Sequence, residues 1–144
     1  MVAAFTPYIH FDGNAAEAMA AYGEIFGTTP DIMTFGQSGH PEEAIADQVM
    51  HSSLYVGPGL HLMASDTPDE MGEGFRGTGN IDIAVSSDGG DSADDPKLTG
   101  WWEGLAEGAT ILQPLADAPW GGKFGMLVDR FGVRWMFNIT ALRG

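Results

Sequence analysis

One stretch of this chain occurs twice. Gly59-Leu60-His61-Leu62-Met63-Ala64-Ser65 returns as Gly132-Val133-Arg134-Trp135-Met136-Phe137-Asn138, each in the order glycine, apolar, basic, apolar, methionine, apolar, small polar. After the glycine, each copy alternates like a strand with one buried face. A duplicated unit has to bury its apolar face in an equivalent way each time. That narrows the available folds more than a single motif does.

The flanking segments repeat too. Phe5 to Asp12 alternates, with Phe5, Ile9 and Phe11 on one face and Thr6, Tyr8 and His10 on the other, and reads as a strand. Gly13 turns the chain, Asn14 is the expected N-cap, and Ala15 to Phe26 carries Ala18, Met19, Tyr22, Ile25 and Phe26 at helical spacing before Gly27 ends it. Strands are expected at Ile32 to Phe35, at Asp47 to Val56 and, after the Gly57-Pro58-Gly59 turn, at Leu60 to Asp66. Thr67 to Gly79 is rich in Gly, Asp and Glu and reads as a join.

The second half follows the same plan. Asn80 to Ser87 reads as a strand burying Ile81, Ile83 and Val85; Asp88 to Asp95 is an acidic loop; a helix runs from Pro96 to Glu107 and stops at Gly108. Ala109 to Leu115 is the next strand, Ala116 to Gly122 a loop with Pro119 and Trp120, and Phe124 to Thr140 the closing hairpin. The order β-α-β-β-β thus occurs twice. The expectation is an α+β fold, a single domain of two modules, roughly 1–66 and 80–144, joined by 67–79.

Composition bounds the partners. With 144 residues, 44% of them hydrophobic, the chain can build a core, and its short apolar runs cannot form a membrane-spanning helix. The start, Met1-Val2-Ala3-Ala4-Phe5, lacks the basic region and long apolar stretch of a signal peptide. With no cysteine there is no disulfide, thiolate metal site or cysteine nucleophile, and a cytoplasmic location is the default expectation. Six basic against 20 acidic residues give a net charge of −14, which phosphate backbones and anionic membranes repel. Solubility explains the acidity; so would a salty habitat or a basic substrate. No Gly-x-Ser-x-Gly elbow, phosphate-binding loop or dinucleotide fingerprint is present.

The paired β-α-β-β-β unit resembles the vicinal-oxygen-chelate superfamily, the fold of glyoxalase I, bleomycin-resistance proteins and extradiol dioxygenases. Thr6-Pro7-Tyr8-Ile9-His10-Phe11-Asp12-Gly13-Asn14 with Glu17-Ala18 and Tyr22, Val49-Met50-His51, and Trp120-Gly121 through Phe124-Gly125-Met126 to Asp129-Arg130-Phe131-Gly132-Val133-Arg134-Trp135-Met136 resemble its PhnB-like (YjdN-like) branch. This resemblance covers nearly the whole chain. It implies that each sheet packs a helix on one face, that the other faces curl into a cup, and that the protein is a homodimer.

Alternation assigns the faces independently. Leu60, Leu62 and Ala64 face the helix, as do Val133, Trp135 and Phe137; His61, Met63 and Ser65, and Arg134, Met136 and Asn138, face the cup. Tyr8 and His10 on the first strand, His51, Ser53 and Tyr55 on the third, and Asp82 and Ala84 on the fifth join them. Metal-using members of the superfamily place one ligand on each of the first, fourth, fifth and eighth strands. By the resemblance these positions fall on Thr6 (or Pro7), Met63, Asp82 and Met136. Only Asp82 is an ordinary ligand for a hard or borderline divalent ion, so no metal or other cofactor is expected.

The histidines stay open between two roles. His10 or His51, oriented by Asp82, can act as a general base, because imidazole titrates near neutrality; alternatively they form a polar wall that hydrogen-bonds a ligand. His10, His51 and Asp82 also make a legitimate ligand set for a weakly bound divalent metal. His40 reads as a loop residue and His61 as a solvated rim. Trp120 is either an aromatic lid or a side chain packed on a sheet edge. Trp101 and Trp102 are adjacent on a helix, so one is expected in the core and the other at a subunit contact.

The expected function is therefore a metal-free small-molecule binding protein. Its ligand would meet Tyr8, His10, His51, Met63, Ser65, Asp82, Trp120, Met136 and Asn138, and acidity favours a cationic one. The alternative is an isomerase, lyase or dioxygenase using His10, His51 and Asp82; a third is a structural or regulatory dimer whose cup is filled by its own side chains.

Overall fold

Each half of the chain builds a four-stranded sheet with its own helix, in the same strand order. The computed structural model describes residues 5–39, 46–57, 59–66, 81–87, 94–119 and 121–139. The chain divides into two units, Met1–Arg76 and Gly77–Gly144. The expected join at 67–79, His40, Pro58 and Trp120 lie outside the described residues. Among the described residues, no helix is long and apolar enough to cross a membrane.

The first unit runs β1 (Tyr8–Phe11), α1 (Ala15–Phe26), β2 (Asp31–Thr34), a 3-10 turn at Gly36–Ser38, β3 (Val49–Gly57) and β4 (Leu60–Asp66). Its sheet order is β1-β4-β3-β2, with β1 parallel to β4 and the other neighbours antiparallel. The second unit runs β5 (Ile83–Ser86), α2 (Asp94–Ala106), β6 (Thr110–Asp117), β7 (Lys123–Val128) and β8 (Arg134–Ile139), in the order β5-β8-β7-β6, again with only β5 and β8 parallel. A helix between the first strand and the rest supplies the crossover that such parallel pairing needs. The registers agree as well. Met63 pairs with Tyr8, and Met136 pairs with Ala84 at the equivalent place.

The alternation read from sequence holds in both repeated strands. Leu62 and Ala64 are buried, as are Val133, Trp135 and Phe137. Helix α1 packs Ala15, Ala18, Met19 and Tyr22 into the first core, and Gly27 closes it in a left-handed conformation that glycine adopts without a Cβ penalty.

Three local expectations need correction. Asn14 occupies the N-cap position but makes no side-chain cap; Asp66 at the end of β4 accepts the Ala15 N–H instead, at 2.9 Å. A charged carboxylate at a helix start is the stronger acceptor and also meets the positive end of the helix dipole. The strand edges are shorter than the alternation implied: Phe5 and Ile81 are fully or largely exposed, because β1 and β5 begin only at Tyr8 and Ile83.

The third correction concerns the tryptophans, which are both core. Leu98, Trp101, Trp102 and Leu105 fall at i, i+3, i+4 and i+7, so a single apolar stripe includes both indoles, and all four are buried. Trp102 sets its ring edge-on to Phe137 with centroids 5.4 Å apart, and the Lys97 ammonium lies 5.1 Å from the Trp101 ring centre. Gly100 and Gly104 cost the helix roughly 1 kcal/mol each. Burial contributes about 1.5–3 kcal/mol for each large apolar side chain, so the stripe outweighs them.

Candidate functional site

With the helices on one face of each sheet, the polar half of each alternating strand appears on the other face. In the first unit, β1 contributes Tyr8 and His10; β4 contributes His61, Met63 and Ser65; β3 contributes His51, Ser53 and Tyr55. The register extends this face across β2, where Asp31 pairs with Ser53 and Met33 with His51. Tyr55 and Met33 are exposed there, and Tyr8 is partly so.

Tyr8 is the centre of this face. Its ring lies 5.2 Å from His10 and 5.7 Å from His51 between centroids, and its hydroxyl is 3.1 Å from His51 Nδ1. The bond has two forms. If the tyrosine donates, His51 presents Nε2–H outward as a donor; if the ring donates, Nε2 is an acceptor. His61, expected at a solvated rim, is instead half-buried and tied in: Ser53 Oγ and His61 Nε2 are 2.5 Å apart, and Tyr55 stands edge-on at 5.9 Å. Ser65 shares the face by parity but is buried.

The second unit presents a different surface on the equivalent face. Arg134, Met136 and Asn138 project from β8 opposite Val128, Met126 and Phe124 of β7. Asp82 precedes β5 and accepts the Nε–H of Arg134 at 2.5 Å, in a pair whose side chains are 31% exposed for Arg134 and 17% for Asp82. The sequence placed both residues on one face without pairing them. The register pairs them: Ile83 aligns with Trp135, which brings the residue before each into reach.

Two acidic residues that sequence reasoning passed over are structural. Asp66 accepts from the Ala15 and Val49 backbone N–H groups, and Asp129 accepts from those of Phe131 and Val133 and from the indole N–H of Trp135. Both are buried, so these carboxylates tie loops to strands and do not face a ligand.

The metal positions implied by the resemblance do not suit a divalent ion. Thr6 is a weak donor, Met63 and Met136 are soft thioethers, and the Asp82 carboxylate is already engaged by a guanidinium. Among the described residues, no three of His, Asp and Glu come together as a ligand group.

Comparison with known proteins agrees with this fold. Protein PA1353 from Pseudomonas aeruginosa is 33% identical, covering 97% of this chain and 99% of that one, with a TM-score of 0.80. YjdN of Escherichia coli is 27% identical over 94% of each chain. The PhnB protein from Bacillus cereus is 25% identical over 96% of this chain and 100% of that one, with a TM-score of 0.70.

The chain belongs to the vicinal-oxygen-chelate superfamily, in its PhnB/YjdN-like branch. A glyoxalase/bleomycin-resistance/dioxygenase superfamily member from Sphaerobacter thermophilus, 16% identical with a TM-score of 0.52, shares the fold alone. No family model matches the sequence. Within this PhnB/YjdN-like protein the two sheet faces differ: one sets imidazoles and tyrosines beside its methionines, the other a guanidinium.

Proposed function

We propose that this PhnB/YjdN-like protein binds a compact organic molecule on a helix-free sheet face, without a metal or cofactor. The observation that carries the reading is the cluster of Tyr8 with His10 and His51, beside Met63. Aromatic and thioether surfaces adapt to varied apolar shapes, while the imidazole nitrogens orient a polar group. The net charge of −14 draws cations toward the molecule, and tyrosine faces favour an organic cation. The binding role works with either tautomer of His51.

Catalysis by isomerase or lyase chemistry is the rival reading, and one contact favours it: Tyr8 fixes the His51 ring. It requires the tautomer that leaves Nε2 free to accept a proton. Asp82, the expected orienter, is committed to Arg134.

The test is a thermal-shift screen of aromatic amines and quaternary ammonium compounds on the full chain. A ligand present at a hundred times its Kd stabilises by about 2.7 kcal/mol, a readily measured shift. If no compound raises Tm, the organic-cation reading fails. Elemental analysis of protein purified without chelator or affinity tag checks the other half: a stoichiometric transition metal would overturn the metal-free assignment.

A further inference from the structure

Arg134 is one of six basic residues in a chain with 20 acidic ones, and it stands on the face of the second sheet opposite the buried Trp135 and Phe137. A guanidinium carries five N–H donors in a rigid fork. Among the described residues, Arg134 is held by Asp82 through Nε. That bond fixes the plane of the fork without using its terminal amino groups. The side chain is 31% exposed, so solvent and solutes reach it.

The surroundings are apolar in one direction. Across the β7–β8 register, Val128 lies opposite Arg134, Met126 opposite Met136 and Phe124 opposite Asn138. All of these are half-buried. A charged fork therefore sits at the end of a thioether and aromatic strip.

We infer that Arg134 is the anchor for the carboxylate of a small apolar carboxylic acid, with Met126 and Met136 contacting the body of the ligand. The inference rests on the small-molecule binding reading and gives the face of the second sheet an anionic ligand of its own. A planar carboxylate matches the fork in a bidentate way. A single negative charge suits the place better than a phosphate-type dianion, because Asp82 sits beside the fork and the whole chain is acidic. Asp82 is then a positioning residue that sets the guanidinium plane.

The experiment uses the full chain and three matched probes: benzoate, benzamide and phenylphosphonate, followed by calorimetry and amide chemical-shift changes. Benzoate is expected to bind at least about tenfold more tightly than benzamide, with the shifts centred on β7 and β8. Arg134→Lys, which keeps the charge and loses the fork, is expected to weaken benzoate about tenfold and to leave benzamide unchanged. Equal binding of benzoate and benzamide, or of benzoate to both chains, overturns the proposal. Tighter binding of phenylphosphonate than of benzoate overturns the carboxylate assignment. Should the variant not fold, the benzoate and benzamide comparison on the unaltered chain decides alone. Organic cations are titrated in parallel: binding of cations without benzoate sinks this inference only, and silence from both classes sinks the binding reading as well.

Discussion

At the scale of single residues, the two buried aspartates and the Tyr8 cluster separate stability from function. Asp66 holds two backbone N–H groups, one at the start of α1 and one on β3. An Asp66→Asn chain keeps the shape but turns one acceptor into a donor facing an N–H. We expect a loss of about 1.5–3 kcal/mol, seen as a lower midpoint in urea with an unchanged slope. A midpoint matching the parent would show that these bonds do not hold the helix to the sheet. Tyr8→Ala is expected to behave in the opposite way. Tyr8 is partly exposed, so stability should move little, while affinity for an organic cation should fall about tenfold, roughly 1.4 kcal/mol. Parent-like affinity would place the ligand elsewhere. Sequence parity alone brought Tyr8, His10 and His51 to one face. It missed Asp66 and Asp129, because nothing local distinguishes a carboxylate that will meet backbone donors from one that will meet water.

At the scale of elements, α2 shows how packing decides what propensity leaves open. Its glycines and single lysine make a weak helix; its stripe of Leu98, Trp101, Trp102 and Leu105 makes a good one once a sheet is present. The matching feature on the sheet is Gly125. A methyl group added there would stand 2.7 Å from the Trp102 ring and 3.0 Å from the Leu115 backbone. Gly125→Ala should therefore cost about 1–3 kcal/mol through overpacking, measured by denaturant unfolding. Recovery of that loss in a Gly125→Ala/Trp102→Leu double variant would assign it to the indole contact, since neighbours that share a space do not add. Unaltered stability of the single variant would mean that the helix shifts freely on the sheet. The strand's alternation gives no reason for this glycine; its reason is a ring contributed by another element.

For the whole molecule, the acidic balance predicts a salt response. A chain at −14 repels itself in the compact state, and screening relieves that repulsion. Raising sodium chloride from low to near-molar concentration should raise Tm by several degrees, while the same change weakens an organic cation. A Tm that falls with salt would mean that attractive pairs such as Asp82–Arg134 outweigh the repulsion. Alternation, helical spacing, glycine turns and the seven-residue repeat were enough, along the chain alone, to determine the element order and the buried halves of β4 and β8, and the local motifs carried the resemblance that the PhnB/YjdN-like relatives bear out. The strand neighbours in each sheet, the burial of both tryptophans, the Asp66 cap and the Asp82–Arg134 pair were decided only by tertiary structure. Each joins groups far apart in sequence, and the energy that selects it exists only once the backbone has brought them together.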